Sequence, residues 1–139
     1  MKNKNNMKSK IKYIFLFMII GFAMNGQNKQ QAEKWLINNW KVQYLFENGK
    51  KEIPSKNQVN DGIVFQKNFG FTMFQEGQQL NGTWKYNEAK KQLELDITAL
   101  GIKTKLKVLK LSVSEFVYET KYDDGTVFKY HMTPKVKAK

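Results

Sequence analysis

The stretch Trp40-Lys41-Val42-Gln43-Tyr44-Leu45-Phe46 determines the fold class of this chain. Large apolar or aromatic side chains occupy every second position, at Trp40, Val42, Tyr44 and Phe46. Lys41 and Gln43 lie between them, and only Leu45 interrupts the alternation. Because successive side chains of a strand point to opposite faces, this pattern predicts a strand with one buried aromatic face and one polar face.

The residues before this strand are predicted to form a short helix. Ala32, Trp35, Leu36 and Asn39 have the i, i+3, i+4, i+7 spacing that places side chains on one helical face. A helix of about ten residues is marginal alone in water. We therefore expect this helix to dock on the strands that follow it.

Alternation with a period of two continues until Pro134 and predicts seven further strands. Turn pairs such as Asn48-Gly49 and Asp61-Gly62 separate them. A short edge strand is also expected near 51–53. No helical pattern alternates with the strands, which argues against a parallel sheet. The further strands are expected near 63–66, 69–75, 80–86, 93–97, 102–108, 116–120 and 128–132.

Eight strands joined mostly by short turns predict an all-β, antiparallel up-and-down barrel with a short N-terminal helix. Closure into a barrel removes the exposed edges of the sheet, and eight strands leave an interior wide enough for one small ligand. Gly82, within a predicted strand, indicates a bend or a close approach of another group. A β-sandwich and an open sheet covered by the helix are the two alternatives.

The first 26 residues have the pattern of a secretory signal peptide. Five lysines between Lys2 and Lys12 precede an uncharged run, Tyr13 to Met24, that ends close to small residues. This run is short for a membrane-spanning helix, which needs roughly 20 apolar residues, although a retained anchor is an alternative. We expect cleavage after Gly26, with residues 27–139 forming one exported domain and no stable membrane span afterwards.

The charge and cysteine content limit the class of partner. The formal net charge is +12, but all 24 basic residues are lysines and five of them belong to the predicted signal peptide. Readers of nucleic acids generally use arginine forks on base edges and phosphates, so no nucleic-acid partner is expected. The chain has no cysteine, which excludes disulfides and cysteine-based metal sites.

Several segments, in their order along the chain, resemble the small exported lipocalin-like domains of Bacteroidetes-type bacteria, and the resemblance covers residues 33–134. It implies a lipocalin-like barrel in which Trp40, at the start of the first strand, closes one end. Asn38 stands where lipocalins have the glycine of a Gly-x-Trp motif. The segments are Leu36-Ile37-Asn38-Asn39-Trp40-Lys41-Val42, Asn48-Gly49-Lys50, Gly82-Thr83-Trp84-Lys85-Tyr86, Lys91-Gln92-Leu93-Glu94-Leu95 and Phe128-Lys129-Tyr130.

The residue types of catalytic and metal sites do not form a recognisable pattern, so no enzyme, cofactor or metal is expected. His131 is the one histidine and falls on the polar face of the last strand. Glu94 and Asp96 share a strand face, but that face is predicted to be exterior. Asp123-Asp124-Gly125 lacks the alternating oxygen ligands of a calcium loop and predicts a turn.

The aromatic residues of the inner faces are the remaining functional signal. They either fill the core or line a cavity that is open at one end, where an apolar ligand meets one or two tyrosine hydroxyls. Trp40 is predicted to plug the other end of the barrel. The predicted lining residues are Tyr44, Phe65, Phe71, Met73, Trp84, Leu95, Leu106, Tyr118, Phe128 and Tyr130.

These patterns lead to three hypotheses for function. The first is a monomeric, exported, non-enzymatic barrel that binds a small hydrophobic molecule and sequesters or carries it, in the periplasm or outside the cell. The second is a filled barrel whose outer surface binds another envelope protein or polymer. The third is an enzyme of lipocalin type. The barrel fold does not decide among them, whereas an interior cavity of roughly 300 Å³ favours the first.

Overall fold

The computed structural model describes residues 29–136. The predicted signal peptide, residues 1–26, lies outside this range, as do residues 27, 28 and 137–139 of the predicted domain. Among residues 29–136, no helix has the length and apolar composition needed to cross a membrane.

Nine strands and one short helix form the fold of the described residues. The helix, α1, covers residues 29–36. A single 3-10 turn, Thr98–Leu100, lies between the sixth and seventh strands. The strands are β1 Asn39–Glu47, β2 Lys50–Glu52, β3 Gly62–Phe65, β4 Gly70–Gln75, β5 Gln78–Asn87, β6 Gln92–Ile97, β7 Ile102–Leu111, β8 Phe116–Lys121 and β9 Val127–Pro134.

The strands form one antiparallel sheet that closes on itself. Their order is β2-β1-β3-β4-β5-β6-β7-β8-β9, and β1 also pairs with β9. The edge of β1 that faces away from β9 is shared, because its first residues pair with β3 and its last residues pair with β2. Eight strands therefore close the barrel, and β2 is a short addition at its rim. This arrangement confirms the predicted eight-stranded antiparallel barrel with a short helix.

The helix α1 packs against one end of the barrel. Ala32 and Leu36 are buried in the core cluster, as their helical spacing predicts, and Trp35 is half-buried. The indole Nε1 of Trp40 donates a hydrogen bond to the carbonyl oxygen of Leu36 at 3.0 Å. Asn39, which was predicted to share the helical face, is instead the first residue of β1 and is exposed, because the helix ends at residue 36.

Neighbouring strands approach closely at Gly82. A Cβ atom on this residue would lie 1.9 Å from the backbone oxygen of Asp96 and 2.8 Å from the ring of Phe71. Only glycine allows β4, β5 and β6 to approach so closely at this point. The predicted bend or close approach is therefore present.

A β-bulge at Gln43 changes which side chains of β1 face the core. Val42 pairs with Met132 and Tyr44 pairs with His131, so Gln43 is the extra residue. One extra residue reverses the alternation beyond it. Trp40, Val42 and Leu45 consequently belong to the core cluster, whereas Tyr44 and Phe46 face outward. The prediction that Tyr44 and Phe46 share the buried face of Trp40 was wrong.

Candidate functional site

The two ends of the barrel differ in what covers them. The turns at 66–69, 88–91 and 112–115 lie at the end where α1 packs. The turns at 48–49, 76–77, 98–101 and 122–126 lie at the opposite end, together with the segment 53–61 that joins β2 to β3. We call the half next to α1 the closed half and the other the open half.

Aromatic side chains fill the closed half. The ring centroid of Phe116 lies 5.6 Å from that of Trp40 and 6.2 Å from that of Phe65. Trp84 meets Phe65 edge to face at 5.6 Å, and its Nε1 donates a hydrogen bond to the backbone oxygen of Gln66 at 3.2 Å. Such tilted contacts are favourable for aromatic pairs. Trp40 is buried in this half, and its role as a plug stays a prediction.

The open half is not covered in the same way. Several of its inward-facing side chains pack against the core cluster or lie beside it and are only partly buried, although Ile97 is buried. Each lies in the part of its strand that is nearest the open end. We call the region that these side chains surround the bowl, and its residues are Met73, Leu80, Thr104, Thr120, Phe128 and Tyr130.

Two stacked tyrosines lie on one wall of the bowl. The rings of Tyr118 and Tyr130 stack with centroids 5.0 Å apart, and the ring of Phe128 lies 6.0 Å beyond Tyr130. Tyr118 is 6% exposed. Burial raises the pKa of the Tyr118 hydroxyl and, together with the neighbouring Tyr122 and Asp61, that of Tyr130. Both hydroxyls are therefore protonated at neutral pH and can donate hydrogen bonds.

Asp61, which sequence reasoning placed only in a turn, brings a carboxylate to this half of the barrel. It precedes Ile63 and Phe65 at the same two-residue spacing, and both of these side chains face the core. Its backbone oxygen accepts a hydrogen bond from the amide of Val42 at 3.0 Å, and its Oδ1 accepts one from the amide of Glu76 at 2.8 Å. Burial is the largest cause that raises the pKa of this carboxyl, and the charge of Glu76 adds to it.

After burial and the neighbouring tyrosines, the charge of Asp61 is a further cause that raises the pKa values of Tyr118 and Tyr130. Asp61 lies two residues before Ile63, so it continues the alternation of that strand. We did not use this spacing, because Asp61-Gly62 was interpreted as a turn.

The structure separates the ten predicted lining residues into three sets. Six lie in the buried core, namely Phe65, Phe71, Trp84, Leu95, Leu106 and Tyr118. Three are partly buried against that core, namely Met73, Phe128 and Tyr130. Tyr44 lies outside the barrel because of the bulge at Gln43. Contact of any of them with a ligand stays a prediction.

Tyr44 belongs instead to an outer cluster that also contains Phe46, Val117 and His131. Val117 is 4% exposed although it is not part of the core cluster. The amino group of Lys51 lies 4.3 Å from the ring centroid of Tyr44, and that of Lys129 lies 4.7 Å from the ring centroid of Phe46. Lysine amino groups thus lie over aromatic rings on the outside of the barrel, where cation–π attraction is favourable.

His131 is enclosed in this outer cluster rather than solvated. Both of its ring nitrogens are buried and have no hydrogen-bond partner among the residues that the structure describes. Burial lowers the pKa of the imidazole, and the charges of Lys129, Lys51 and Lys110 lower it further, whereas Glu115 opposes them. The ring is therefore held in its neutral form.

The carboxylates considered from sequence have structural partners on the outside. Glu94 pairs across the sheet with Lys105, and Asp96 pairs with Lys103, whose Nζ lies 4.0 Å from Asp96 Oδ2. Asp124 accepts a hydrogen bond from the amide of Thr126 at 2.9 Å within a turn. Across residues 29–136, no group of three or more histidine or acidic side chains has the geometry of a metal site.

Three clefts on the outside of the described chain are separate from the bowl. The first, of about 520 Å³, lies beside the end of α1 and is lined in part by Ile37, Phe65 and Val136. The second, of about 290 Å³, separates α1 from β5 and β7, and the third, of about 170 Å³, lies beside Phe74. None of the three is lined by Met73, Leu80, Thr120, Phe128 or Tyr130.

Among the comparisons with known proteins, only the comparison with solved structures found a similar protein. No protein-family model matches the chain, and no curated protein matches it. A lipocalin-like protein from Bacteroides uniformis ATCC 8492 superposes on it with a TM-score of 0.53 and 17% sequence identity, over 73% of this chain and 99% of that protein. The chain has a lipocalin-like fold. At this identity, the likeness of the two lipocalin-like barrels shows the fold alone.

Proposed function

We propose that this chain is an exported, non-enzymatic lipocalin-like protein that binds a small hydrophobic molecule in the bowl. One observation carries the proposal. The inward-facing side chains of Met73, Leu80 and Phe128, in the open half, are only partly buried, whereas Trp40, Phe65 and Phe116, in the closed half, are buried. Partly exposed apolar walls inside a barrel can release water when an apolar molecule covers them.

The architecture defines how such a molecule enters. Trp40, Phe65 and Phe116 fill the closed half, so a ligand comes through the end that carries the turns at 76–77 and 122–126. Its apolar part packs against Met73 and Leu80, and its polar end meets the tyrosine hydroxyls. Burial contributes about 0.8 kcal/mol for each CH₂ group removed from water, so a short alkyl chain supplies most of the binding free energy. The ligand is small because only half of the barrel is available.

Export is the second part of the proposal and rests on the N-terminal sequence. Lysines followed by a short uncharged run are typical of a secretory signal. A barrel that is released into the periplasm or outside the cell can sequester an apolar molecule or carry it through water.

A non-enzymatic role agrees with the placement of the reactive side chains. His131 lies outside the barrel in contact with Tyr44, whereas Glu94 and Asp96 lie on the outer face of β6 opposite lysines. None of these groups faces the bowl. Binding without chemistry is therefore the function that the geometry supports best.

A pair of variants on β8 tests binding in the bowl. Thr120 faces inward near the opening, and its neighbour Glu119 faces outward. The fluorescent probe N-phenyl-1-naphthylamine is titrated into the wild type, Thr120→Trp and Glu119→Trp. We expect the wild type and Glu119→Trp to bind the probe, and Thr120→Trp, whose indole fills the bowl, to bind it at least about tenfold more weakly. Circular dichroism confirms that both variants fold.

Equal binding by the two variants would place the probe elsewhere and contradict the proposed site. Native mass spectrometry of the protein purified from its own host provides an independent test, because a bound lipid is retained as a mass difference. If the purified protein retains no lipid and the wild type takes up no probe, the result counts against ligand carriage.

The outer cluster of Tyr44, Phe46, Val117 and His131 favours a second candidate function. It is the place where apolar and aromatic side chains gather on the outside of the barrel beneath lysines. In this alternative the barrel is a filled scaffold whose outer surface binds another envelope protein or polymer. It predicts that the wild type takes up no probe.

A further inference from the structure

The pairing between β7 and β8 stops before these strands reach the open end of the barrel. Its last pair in that direction is Lys107 with Glu119. Beyond this pair, each strand stays paired with its other neighbour, β7 with β6 and β8 with β9. The hydrogen-bonded wall is therefore interrupted between residues 102–106 of β7 and residues 120–121 of β8. We call this interruption, which reaches the rim of the open half, the slot.

The charges of the facing residues explain where the pairing stops. Lys107 lies opposite Glu119, which is a pair of opposite charge. The same register continued by two residues would place Lys105 opposite Lys121. Like charges directly opposite each other destabilise a sheet. The ladder thus ends where a pair of opposite charge would be followed by a pair of like charge.

Lys105 and Lys121 have little compensation from acidic residues. Both are exposed, and neither forms a salt bridge among residues 29–136. Lys121 lies opposite the uncharged Val127 on β9. Glu94 lies opposite Lys105, but it is shared with Lys85 on the other side. The outer side of the slot therefore has two lysines that can accept an anion.

The inner side of the slot faces the bowl. Thr104 on β7 and Thr120 on β8 are residues of the bowl, and both are partly buried. Because side chains alternate along a strand, these threonines point inward next to lysines that point outward. Asp123 and Asp124 follow in the turn at the rim, so the positive charge is confined to the slot.

We infer that the slot holds the anionic head group of a single-chain amphiphile whose alkyl part lies in the bowl. This inference rests on the proposed function, because the alkyl part uses the same site. Lys105 and Lys121 flank the head group from the two strands, and the anion offsets the repulsion between them. A charged head group at the slot stays in contact with water, whereas beside Tyr118 and Tyr130 it would be desolvated. The tyrosine hydroxyls remain the partners of an uncharged head group.

Amide hydrogen exchange tests the slot without a ligand. The amide of Val108 donates a hydrogen bond to the carbonyl oxygen of Lys91, on the side of β6. Alternate residues of an antiparallel strand bond to the same neighbour, so the amide of Leu106 also points to β6, whereas that of Lys105 points to β8 across the slot. We expect the amide of Lys105 to exchange at least about tenfold faster than that of Leu106. Equal protection of the two amides would show a closed wall and would overturn the inference.

Competition among ligands with the same alkyl chain tests the head group. Decanoate, decan-1-ol and decylamine are titrated against N-phenyl-1-naphthylamine bound to the wild type and to the double variant Lys105→Gln/Lys121→Gln at neutral pH. We expect the double variant to bind decanoate about tenfold more weakly than the wild type does, which corresponds to about 1.4 kcal/mol for two partly exposed ion pairs. Its affinity for decan-1-ol should stay within about twofold of the wild type, and decylamine should bind no more weakly.

A second double variant controls for net charge. Lys34→Gln/Lys67→Gln also removes two exposed lysines, one on α1 and one in the turn at 66–69, both at the closed end. We expect it to change the affinity for decanoate by less than about twofold. Circular dichroism confirms that both double variants fold.

The outcomes separate this inference from the proposed function. If the probe binds in the bowl and Lys105→Gln/Lys121→Gln keeps its full affinity for decanoate, the head group is not held at the slot, and the ligand site stands. The same conclusion follows if the control variant loses as much affinity, or if decan-1-ol weakens as much as decanoate. If neither the probe nor any of the three ligands binds to the wild type, the ligand site itself is overturned, and this inference with it.

Discussion

Tyr44 stacks on His131 on the outside of the barrel, with ring centroids 4.3 Å apart and planes inclined by 19°. Phe46 lies 5.7 Å from the same imidazole. The remaining sides carry Lys51, Lys110 and Lys129, which oppose a positive imidazole, and Glu115, which favours one. The folded protein therefore disfavours protonation of its one histidine.

A pH dependence of stability follows from this contact. The pKa of His131 is lower in the folded state than its ordinary value of 6.5. Below pH 6.5 the unfolded chain therefore binds more protons at this site, so the free energy of unfolding falls as the pH falls through 6.5, and the loss ends below the folded pKa. We expect urea denaturation to show lower stability at pH 5.5 than at pH 7.5.

The variant His131→Phe provides the control for this dependence. It keeps an aromatic ring beside Tyr44 and has no group that titrates in this range, since the chain has one histidine. Its free energy of unfolding should change little between pH 7.5 and pH 5.5. A dependence equal to that of the wild type would assign the titration to the carboxyl groups and not to His131.

The bulge at Gln43 predicts opposite consequences for two adjacent residues. Leu45 is 8% exposed and belongs to the core, whereas Tyr44 lies outside it. Leu45→Ala should lower the free energy of unfolding by about 2–5 kcal/mol, because it leaves a cavity in the core. Tyr44→Ala should lower it by about 1 kcal/mol, the usual size of a cross-strand aromatic contact. Chemical denaturation measures both, and a larger effect at Tyr44 would contradict the observed register.

The barrel itself could be predicted because alternation and turn pairs are local properties of a sequence. In each strand after Asn39, the alternation of apolar and polar side chains indicates which of them face the core. Turn sequences such as Asn48-Gly49 and Asp123-Asp124-Gly125 indicate where the chain reverses direction. Leu45 interrupted the alternation of β1, and this interruption was the local trace of the bulge. Its meaning depends on the register with β9, which no single stretch of sequence contains.

The candidate site could be predicted only in part for a similar reason. The alternation of side chains correctly placed Met73, Phe128 and Tyr130 on the inner faces of their strands. It does not show which of the inward-facing side chains are covered by others. That depends on how other elements pack against the barrel, such as α1, whose Leu36 backbone oxygen accepts a hydrogen bond from Trp40. Asp61 was missed because a turn residue beside glycine has a sufficient local explanation.

The close approach at Gly82 predicts a large effect of a single methyl group. The Cβ of Gly82→Ala would lie 1.9 Å from the backbone oxygen of Asp96, so β5 and β6 must separate. We expect a loss of about 3 kcal/mol or more in the free energy of unfolding, at the upper end of what overpacking causes. The same substitution at Gly125, where nothing lies within 4 Å but φ is +88°, should lower it by about 1–2 kcal/mol. Similar losses at the two sites would contradict the close approach.

The hydrogen bond between Trp40 and Leu36 predicts that the plug depends on the indole nitrogen as well as on the ring. Trp40→Phe keeps an aromatic ring beside Phe116 but leaves the backbone oxygen of Leu36 without its 3.0 Å donor in a buried place. A lost donor together with a smaller ring should lower the free energy of unfolding by about 2–4 kcal/mol.

The matched control for Trp40→Phe is Trp35→Phe, on the neighbouring helix α1. Trp35 is half-buried, so we expect its replacement to lower the stability by less than about 1 kcal/mol. Hydrogen exchange adds a specific readout, because loss of the Trp40 contact should release α1 from the barrel and increase exchange at residues 33–37. Unchanged exchange in Trp40→Phe would show that Ala32 and Leu36 hold the helix without the indole, and would contradict the role of this hydrogen bond in the plug.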